Sequence, residues 1–348
     1  MRALAAIALL GCAPIHGEAE VWRFAIEETP GSVQHTYATR LQERVEARTG
    51  GAVRVVVYPY GALGTSDQIT EQLHMGTLEL ATSSPGHLGK LIPEVQAFLL
   101  PFTLSEESSV NARALADPEL RAFLDGLYAE KGLAFLAAFG EGSMAWTTRR
   151  PVRRPEDFAG MRMRVMTSPL LLAAFEAYGA RPTPLPYGEV YSALQLRMID
   201  GQVNPVFAIE EMSFYEVADV LTFPHDAEFV TTLVASPRFI ARLSPERRRL
   251  LEDVVAELQT EIHEVQSRLN AERLATIRAR RPALEIVDLS PAERAPFRAR
   301  ARAVRALYVE RVGLRGAALL THLDRAVARA EADPSPTPPP SPTDRRAP

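Results

Sequence analysis

Cysteine is nearly missing. One residue, Cys12, stands in 348, which excludes an intrachain disulfide and a cysteine-built metal cluster. Lysine is almost as scarce, with only Lys90 and Lys131, so arginine supplies the positive charge. The net charge is only -4, and no arginine-rich stripe interleaved with aromatics runs along the chain. Nucleic acid is therefore not an expected partner. Beyond the N-terminus no stretch reaches the roughly 18 apolar residues that a membrane span needs. The glycines of SPGHLG (84–89) lack the spacing of a dinucleotide loop. His16, His35, His74 and His263 are scattered without metal-ligand spacing. Neither a cofactor nor a metal is expected.

An export signal is present. In MRALAAIALLGCAPIHGEA, Arg2 is a minimal basic region and Ala3 to Leu10 an apolar core too short to span a bilayer. Two processing sites compete. Leu9-Leu10-Gly11-Cys12 resembles a lipobox, which would make Cys12 a lipid anchor. Gly17-Glu18-Ala19 fits ordinary small-x-small cleavage, leaving residues 1–19 as a signal peptide. A buried first helix is the bland alternative. The expected location is the periplasm.

The first half alternates strand and helix signals. VWRFAIEE (21–28) puts Trp22, Phe24 and Ile26 on one face of a strand. In the helix over 33–50, Val33, Tyr37, Leu41 and Val45 recur every four residues, and Gly50-Gly51 ends it. VRVVVYPY (53–60) reads as a buried strand. A helix over 66–76 capped by Thr65 or Ser66 follows, and then the strand LELATSS. This βαβαβ order implies a mostly parallel sheet. Further strands are predicted at GLAFLAAFGEG (132–142), AWTTRRPV, RMRVM and FVTTLVASPRF. Helices are predicted at 169–179, closed by Gly179, and at 189–198.

Ser244-Pro245 opens an unusually long helix by a cap and an N1 proline. Its apolar stripe of Leu251, Val254, Val255, Leu258, Ile262, Val265 and Leu269 continues toward Arg280. Strict heptads are absent, so a helix crossing two lobes fits better than a coiled coil. Ser290-Pro291-Ala292-Glu293 is a capping box opening the last helix. The tail, PSPTPPPSPTDRRAP, reads as disordered or polyproline-like.

At GMRMRVMTSP, YGARPTPLPYGEVYSALQLRMIDGQVNP and FYEVADVL the chain resembles the solute-binding proteins of tripartite ATP-independent periplasmic (TRAP) transporters, the DctP family. GGAVRVVVYPYGALGTSDQITEQLHMGTLELA resembles that family's first lobe, and the likeness covers about residues 21 to 320. It implies an α/β, two-lobed periplasmic-binding-protein fold with mixed sheets, hinge strands and one long helix spanning both lobes. The expected partition is 20–141 plus 230–269 for lobe I, 142–229 plus 270–332 for lobe II, and a separate tail from 333. It also implies closure around a small organic acid and delivery to membrane-embedded TRAP transporter subunits.

The family's arginine for the ligand carboxylate falls on Arg164. Strand alternation supports this choice by placing Arg162, Arg164 and Met166 on one face, and a guanidinium offers a planar fork to a carboxylate. A structural ion pair is the alternative for Arg164, and Arg162 is expected at the surface. The resemblance also places Asn204, in GQVNP, on the same carboxylate, although Asn-Pro alone would only mark a turn. Tyr187 matches an aromatic that packs over the ligand, or else is a helix-entry core residue. Glu27 matches a polar position facing the cleft. Ser84 and His87 lie at the end of the third strand, where small polar groups could cradle a ligand oxygen; His87 is otherwise a hinge or surface histidine. Trp146 either floors the pocket or is interlobe core. A second arginine that some members carry falls on Met144, which with Trp146 and Tyr187 makes the pocket more apolar and favours a monocarboxylate.

An enzyme would need paired titratable groups in a cleft. Glu210-Glu211, Glu189 and His225 are available but read as helix-surface or hinge residues, and no nucleophile constellation is present. The chain is not expected to be an enzyme. A ligand sensor for a membrane signalling partner is the alternative to a transport receptor. A monomer is expected, with a dimer through the long helix as the other arrangement.

Overall fold

β1 (Glu20–Ala25) buries Trp22 and Phe24 completely and lies between two parallel neighbours, β2 (Val53–Tyr58) and β3 (Leu80–Ser83). The computed structural model describes residues 19–333. The expectations for the export signal up to residue 18, with Cys12, and for the tail from 334 lie outside the described residues. Arg54 of β2 is exposed and the strand's second half is only partly covered, because β2 ends the sheet and pairs with β1 alone. It is an edge strand rather than the buried one its valines suggested.

α1 (Val33–Arg48) starts at Ser32, whose side chain accepts from the His35 amide, and buries Val33, Tyr37, Leu41 and Val45. α2 (Ser66–Met75) opens on a capping box between Thr65 and Gln68 and stops at Gly76, which takes the left-handed φ of 75° that glycine tolerates. Three short helices follow: α3 (Pro85–Leu88), α4 (Ser108–Leu115) and α5 (Pro118–Glu130).

β4 (Ala134–Thr148) is one continuous strand of 15 residues where the sequence suggested two. Gly140 to Gly142 breaks its hydrogen-bond register, and Gly142 adopts φ +133°. The strand bends there and runs on. Its first part pairs with β9 (Glu228–Ala235) and its second with β7 (Gly201–Pro205) and β8 (Val220–Phe223). β5 (Arg162–Val165), β6 (Arg181–Pro184) and β10 (Glu285–Asp288) complete a mixed sheet in the order β2-β1-β3-β9-β4-β7-β5-β6, with β8 joining β4 to β10. β4 thus belongs to both lobes. α6 (Pro169–Tyr178), α7 (Val190–Gln195), α8 (Val206–Glu211) and α9 (Pro237–Arg242) fill the connections.

α10 (Pro245–Arg280) is 36 residues long, about 54 Å at 1.5 Å per residue. Leu251, Val254, Val255, Leu258, Ile262 and Val265 pack with Trp22 and Phe24 of the first lobe. Ile277 packs with Val190 and Leu221 of the second. Between them Asn270 ties the helix to the strand bend: its Nδ2 donates to the Glu141 carbonyl (2.8 Å) and its Oδ1 accepts from the Phe207 amide (3.0 Å).

The C-terminal end departs from expectation. The capping box opens α11 (Pro291–Val312), but Gly313 then starts a further helix, α12 (Leu314–Ala332). α12 packs on α4 and α5 through Leu319, Leu320 and Leu323, so residues 314–332 sit on the first lobe, not the second. α11 itself crosses. Phe297 lies against Trp146 in the second lobe, while the Tyr308 hydroxyl donates to the Glu94 carbonyl (2.6 Å).

Gly142→Ala tests the bend. A Cβ would fall 2.5 Å from Asn270 Nδ2 at a φ that L residues rarely adopt. The variant should lose about 1–3 kcal/mol of unfolding free energy in urea denaturation. Unchanged stability would mean that the bend relaxes freely.

Candidate functional site

Parallel strands of an open sheet point their carboxyl ends at one edge, and ligands settle there. A cavity of about 430 Å³ lies at that edge between the lobes. The first lobe contributes Glu27 and Glu28 after β1, Tyr60 after β2, and Ser84 and His87 after β3. The second contributes Arg164 and Met166 at β5, Tyr187 after β6, and Asn204 at β7.

Arg164 is 3% exposed. Its Nε and Nη2 both donate to the Leu185 carbonyl, at 3.0 and 2.9 Å, and its Nη1 has no hydrogen-bond partner. Among the described residues no carboxylate pairs with it. Burial lowers its pKa to about 10, with Tyr187 and Tyr60 acting weakly the other way. The group therefore stays charged at neutral pH, desolvated and with a donor to spare. Arg162, one turn of the pleat away, is half-exposed and bridged to Asp200 at 2.9 Å. The two arginines share a face of β5, and position along the strand separates them: Arg164, toward its carboxyl end, lines the cleft, while Arg162, at its start, meets solvent and Asp200.

Asn204 lines the cavity and donates one N–H to Gln202 Oε1, while Gln202 Nε2 donates to Thr147 Oγ1 (2.9 Å). One amide hydrogen of Asn204 remains to be offered. Tyr187 stands edge-on to Tyr60 (5.9 Å), which reaches it from the first lobe, and to Phe214 (6.0 Å). Burial, then Glu211 and Glu28, push its phenol pKa well up, so it is a neutral hydroxyl.

Glu27 lines the cavity but is already engaged. Its Oε2 accepts from the Ser84 amide (2.8 Å) and its Oε1 lies 3.0 Å from His87 Nδ1. The Ser84 hydroxyl is 3.1 Å from the same nitrogen. Burial opposes charge on Glu27, but His87 and the Ser66 and Ser84 contacts outweigh it and hold the carboxyl below its usual range. Burial likewise works against the imidazolium, and Glu27 more than offsets it, so the His87 pKa is raised. Each group favours the charged form of the other, and the pair is built into the wall.

Sequence reasoning missed Glu28. It lines the cavity beside Glu27, and its carboxyl meets that of Glu141, a fully buried residue of β4. Burial first, and then their mutual charge and that of Glu211, push Glu28 well up; burial also raises Glu141. Burial lifts Glu211 to about 7 against Arg273. The available signal was the doubled acid in IEETPGS, directly after a buried strand and before a capped helix.

Two expected contacts are corrected. Trp146 is completely buried among Phe158 (4.9 Å), Phe297 (5.3 Å), Phe175 and Tyr178. Met144 packs against the same cluster. Neither lines the cavity. Residues 144 and 146 share one face of β4 by the period-2 rule, and that face looks into the second-lobe core. The apolar side of the cavity comes instead from Tyr60, Met166, Tyr187 and Phe229.

The profile of the bacterial extracellular solute-binding proteins, family 7 (DctP), matches residues 24–311. The ectoine/5-hydroxyectoine-binding periplasmic protein UehA of Ruegeria pomeroyi is 35% identical over 94% of this chain and 96% of its own. The ectoine-binding periplasmic protein TeaA of Halomonas elongata is 37% identical over 86% of this chain and 87% of its own. Its crystal structure, from the TeaABC TRAP transporter, superposes with a TM-score of 0.86 at 35% identity, covering 89% of this chain and all of that one. An open, ligand-free TRAP periplasmic solute-binding protein of Marinobacter aquaeolei superposes with a TM-score of 0.83 at 43% identity, covering 87% and 99%.

Buried acids with raised pKa values have a consequence for stability. The folded chain holds protons on Glu211, on Glu228 (burial, about 7) and on Asp226 (burial, about 6) that the unfolded chain releases near pH 4. Their neutral forms support the fold fully below about pH 4, and that support is lost as pH rises through 6 to 7. The ligand-free protein should melt a few degrees lower at pH 8.5 than at pH 5.5, with a shallower slope in Glu228→Gln. A melting temperature that rises over this window would contradict the assignment.

Proposed function

The chain belongs to the bacterial extracellular solute-binding proteins of family 7, the receptors of TRAP transporters, and from that premise we propose that it binds a compact zwitterionic carboxylate of the ectoine type and hands it to a TRAP membrane transporter. The observation that carries this reading is the pairing of opposite unmet charges across one cavity. Arg164, from the second lobe, offers a guanidinium with no anion. Glu28, from the first, offers a carboxyl with no cation.

A ligand carboxylate placed on Arg164, with the spare Asn204 amide beside it, gives back to a buried charge the partner that desolvation took away. Such a contact is worth most where water is excluded. The rest of the cavity suits a positive body. Tyr60, Tyr187 and Phe229 present aromatic surface to the ligand, and delocalised cations are drawn to aromatic faces. Ectoine, a cyclic amidinium bearing a carboxylate, has this distribution of charge, and two relatives carry it in their names. Our sequence reading of a monocarboxylate is kept, with a cationic second pole added. Glu27 is not free to serve that pole, because His87 already holds it.

Binding from both lobes favours the closed form. Arg164 and Asn204 engage the carboxylate, Glu28 engages the cation, and Tyr60 meets Tyr187 across the mouth. The population shifts by the differential affinity for closed over open. The closed receptor is the form presented to the membrane subunits, in the periplasm where its relatives work.

Isothermal titration calorimetry with ectoine, hydroxyectoine, glucuronate and succinate tests the ligand class. We expect saturable binding of the two zwitterions and weak or no heat from the acids. Arg164→Ala should cost about 2–5 kcal/mol, at least about 30-fold in affinity. Retained affinity in both Arg164→Ala and Arg164→Lys would remove Arg164 from the site. Saturation by glucuronate or succinate with silence from the zwitterions would replace the ligand class.

A further inference from the structure

Behind the cavity wall Glu141 sits without any opening to solvent, at the bend of β4. Its Oε1 accepts from Gln34 Nε2 (2.9 Å). The orientation of the Gln34 amide is fixed, because its oxygen accepts from the Glu27 amide (2.8 Å) and from Thr82 Oγ1 (2.5 Å). Glu141 Oε2 and Glu28 Oε2 are both buried and find no N–H or O–H donor. The Ser32 hydroxyl reaches Glu28, and the two carboxyls meet each other.

Among the described residues no cation stands ready to neutralise this pair. His87, on α3, is spent on Glu27. Arg273 and Arg280, on α10, are spent on Glu210 (2.8 and 3.1 Å). Arg164, on β5, is turned to the Leu185 carbonyl. The other group facing the pair from α8 is Glu211, a third carboxyl, and Tyr187 adds a neutral phenol. Two carboxyls in contact in a buried site do not both ionise; one proton between them satisfies both.

We propose that this receptor exchanges a proton for the positive end of its ligand: Glu28 and Glu141 share a proton while the cleft is empty, and that proton leaves to solvent when the ligand's cation settles on Glu28. The inference rests on the zwitterion reading of the same site and goes beyond it. Glu141 touches no ligand. It is a positioning residue that sets the charge of Glu28. Burial, which raises both carboxyls, works in the same direction, as does the charge of Glu141 on Glu28 and that of Glu27 and Glu211 on Glu141. The sign of the linkage follows: the ligand cation competes with the proton, so affinity rises with pH until the empty pair is ionised, by up to tenfold per unit.

The test is calorimetry of the full mature chain with ectoine at pH 6, 7 and 8, each in buffers of differing ionisation enthalpy. The slope of observed heat against buffer enthalpy counts protons. Release of about half to one proton per ligand is expected at pH 7, with tighter binding at pH 8 than at pH 6. Glu141→Gln removes the carboxyl that shares the proton and puts in its place an amide whose N–H can donate to the Glu28 carboxylate, so release should fall and the pH profile should flatten, with affinity at pH 7 kept or improved. A purely structural role for Glu141 would weaken binding equally at every pH and leave the proton count unchanged, which would overturn the proposal. Should that variant not fold, the wild-type buffer series decides alone. Saturable ectoine binding with no buffer dependence sinks the exchange and leaves the zwitterion reading standing. No ectoine binding, with glucuronate or succinate bound instead, sinks both.

Discussion

β4 cannot belong to one lobe. It runs 15 residues, pairs with β9 on one side of the Gly140–Gly142 bend and with β7 and β8 on the other, and so joins two sheets through a single stretch of backbone. Its hydrogen bonds must be satisfied along the whole length, and that requirement fixes where the lobes meet. Asn270 closes the account at the bend by taking the Glu141 carbonyl and the Phe207 amide, which explains why one helix of 36 residues has to pass both lobes. β4, α10 and α11 are the elements that the two lobes share. The cavity lies where the parallel strands on either side run out. The carboxyl that meets Glu28 behind the cavity wall belongs to a residue of the bend itself, Glu141. On the proposed reading, ligand recognition and lobe geometry are connected through that side chain.

The charges in the cleft fall into two groups. Some are met by the protein before any ligand arrives: Glu27 by His87 in the wall, and Lys90 by Asp67 at the rim. Others are left unmet: Arg164 on one lobe, Glu28 with Glu141 on the other. A buried unpaired charge costs several kcal/mol, and a fold does not keep one without a use elsewhere. On the proposed reading a ligand with an anionic and a cationic pole meets both unmet groups, whereas an anion alone would satisfy Arg164 and face an acidic wall opposite.

Much of this was legible in the sequence. The four-residue recurrence in Val33, Tyr37, Leu41 and Val45, the cap at Ser244-Pro245 and the stripe from Leu251 to Val265 lie where they were read, since each rests on local periodicity or capping. Arg164 and Asn204 come together as alternation and the family resemblance implied. What failed was non-local. β4 read as two strands because Gly140 and Gly142 look like punctuation, and only its partners β7 and β9 reveal that the chain continues extended. β2 read as buried because valine content does not say which strand ends the sheet. Trp146 and Met144 went to the core because the facing of β4 is set by α6 and α11, far away in sequence. Residues 314–332 returned to the first lobe by way of a crossing helix that no local signal announces.

Glu28 is the instructive miss. Two adjacent acids after a strand look interchangeable, and the resemblance pointed to the first. Their roles diverge through neighbours that lie 57 to 113 residues downstream. Ser84 and His87 take Glu27, while Glu141 leaves Glu28 with a carboxyl instead of a cation for company. An acid held by a histidine is a wall. An acid held by another acid is, on the proposed reading, a place for positive charge that a proton occupies while the cleft is empty. The same residue type thus finds a histidine at one position and a carboxyl at the next, and the difference lies in which strand ends the sheet brings beside it.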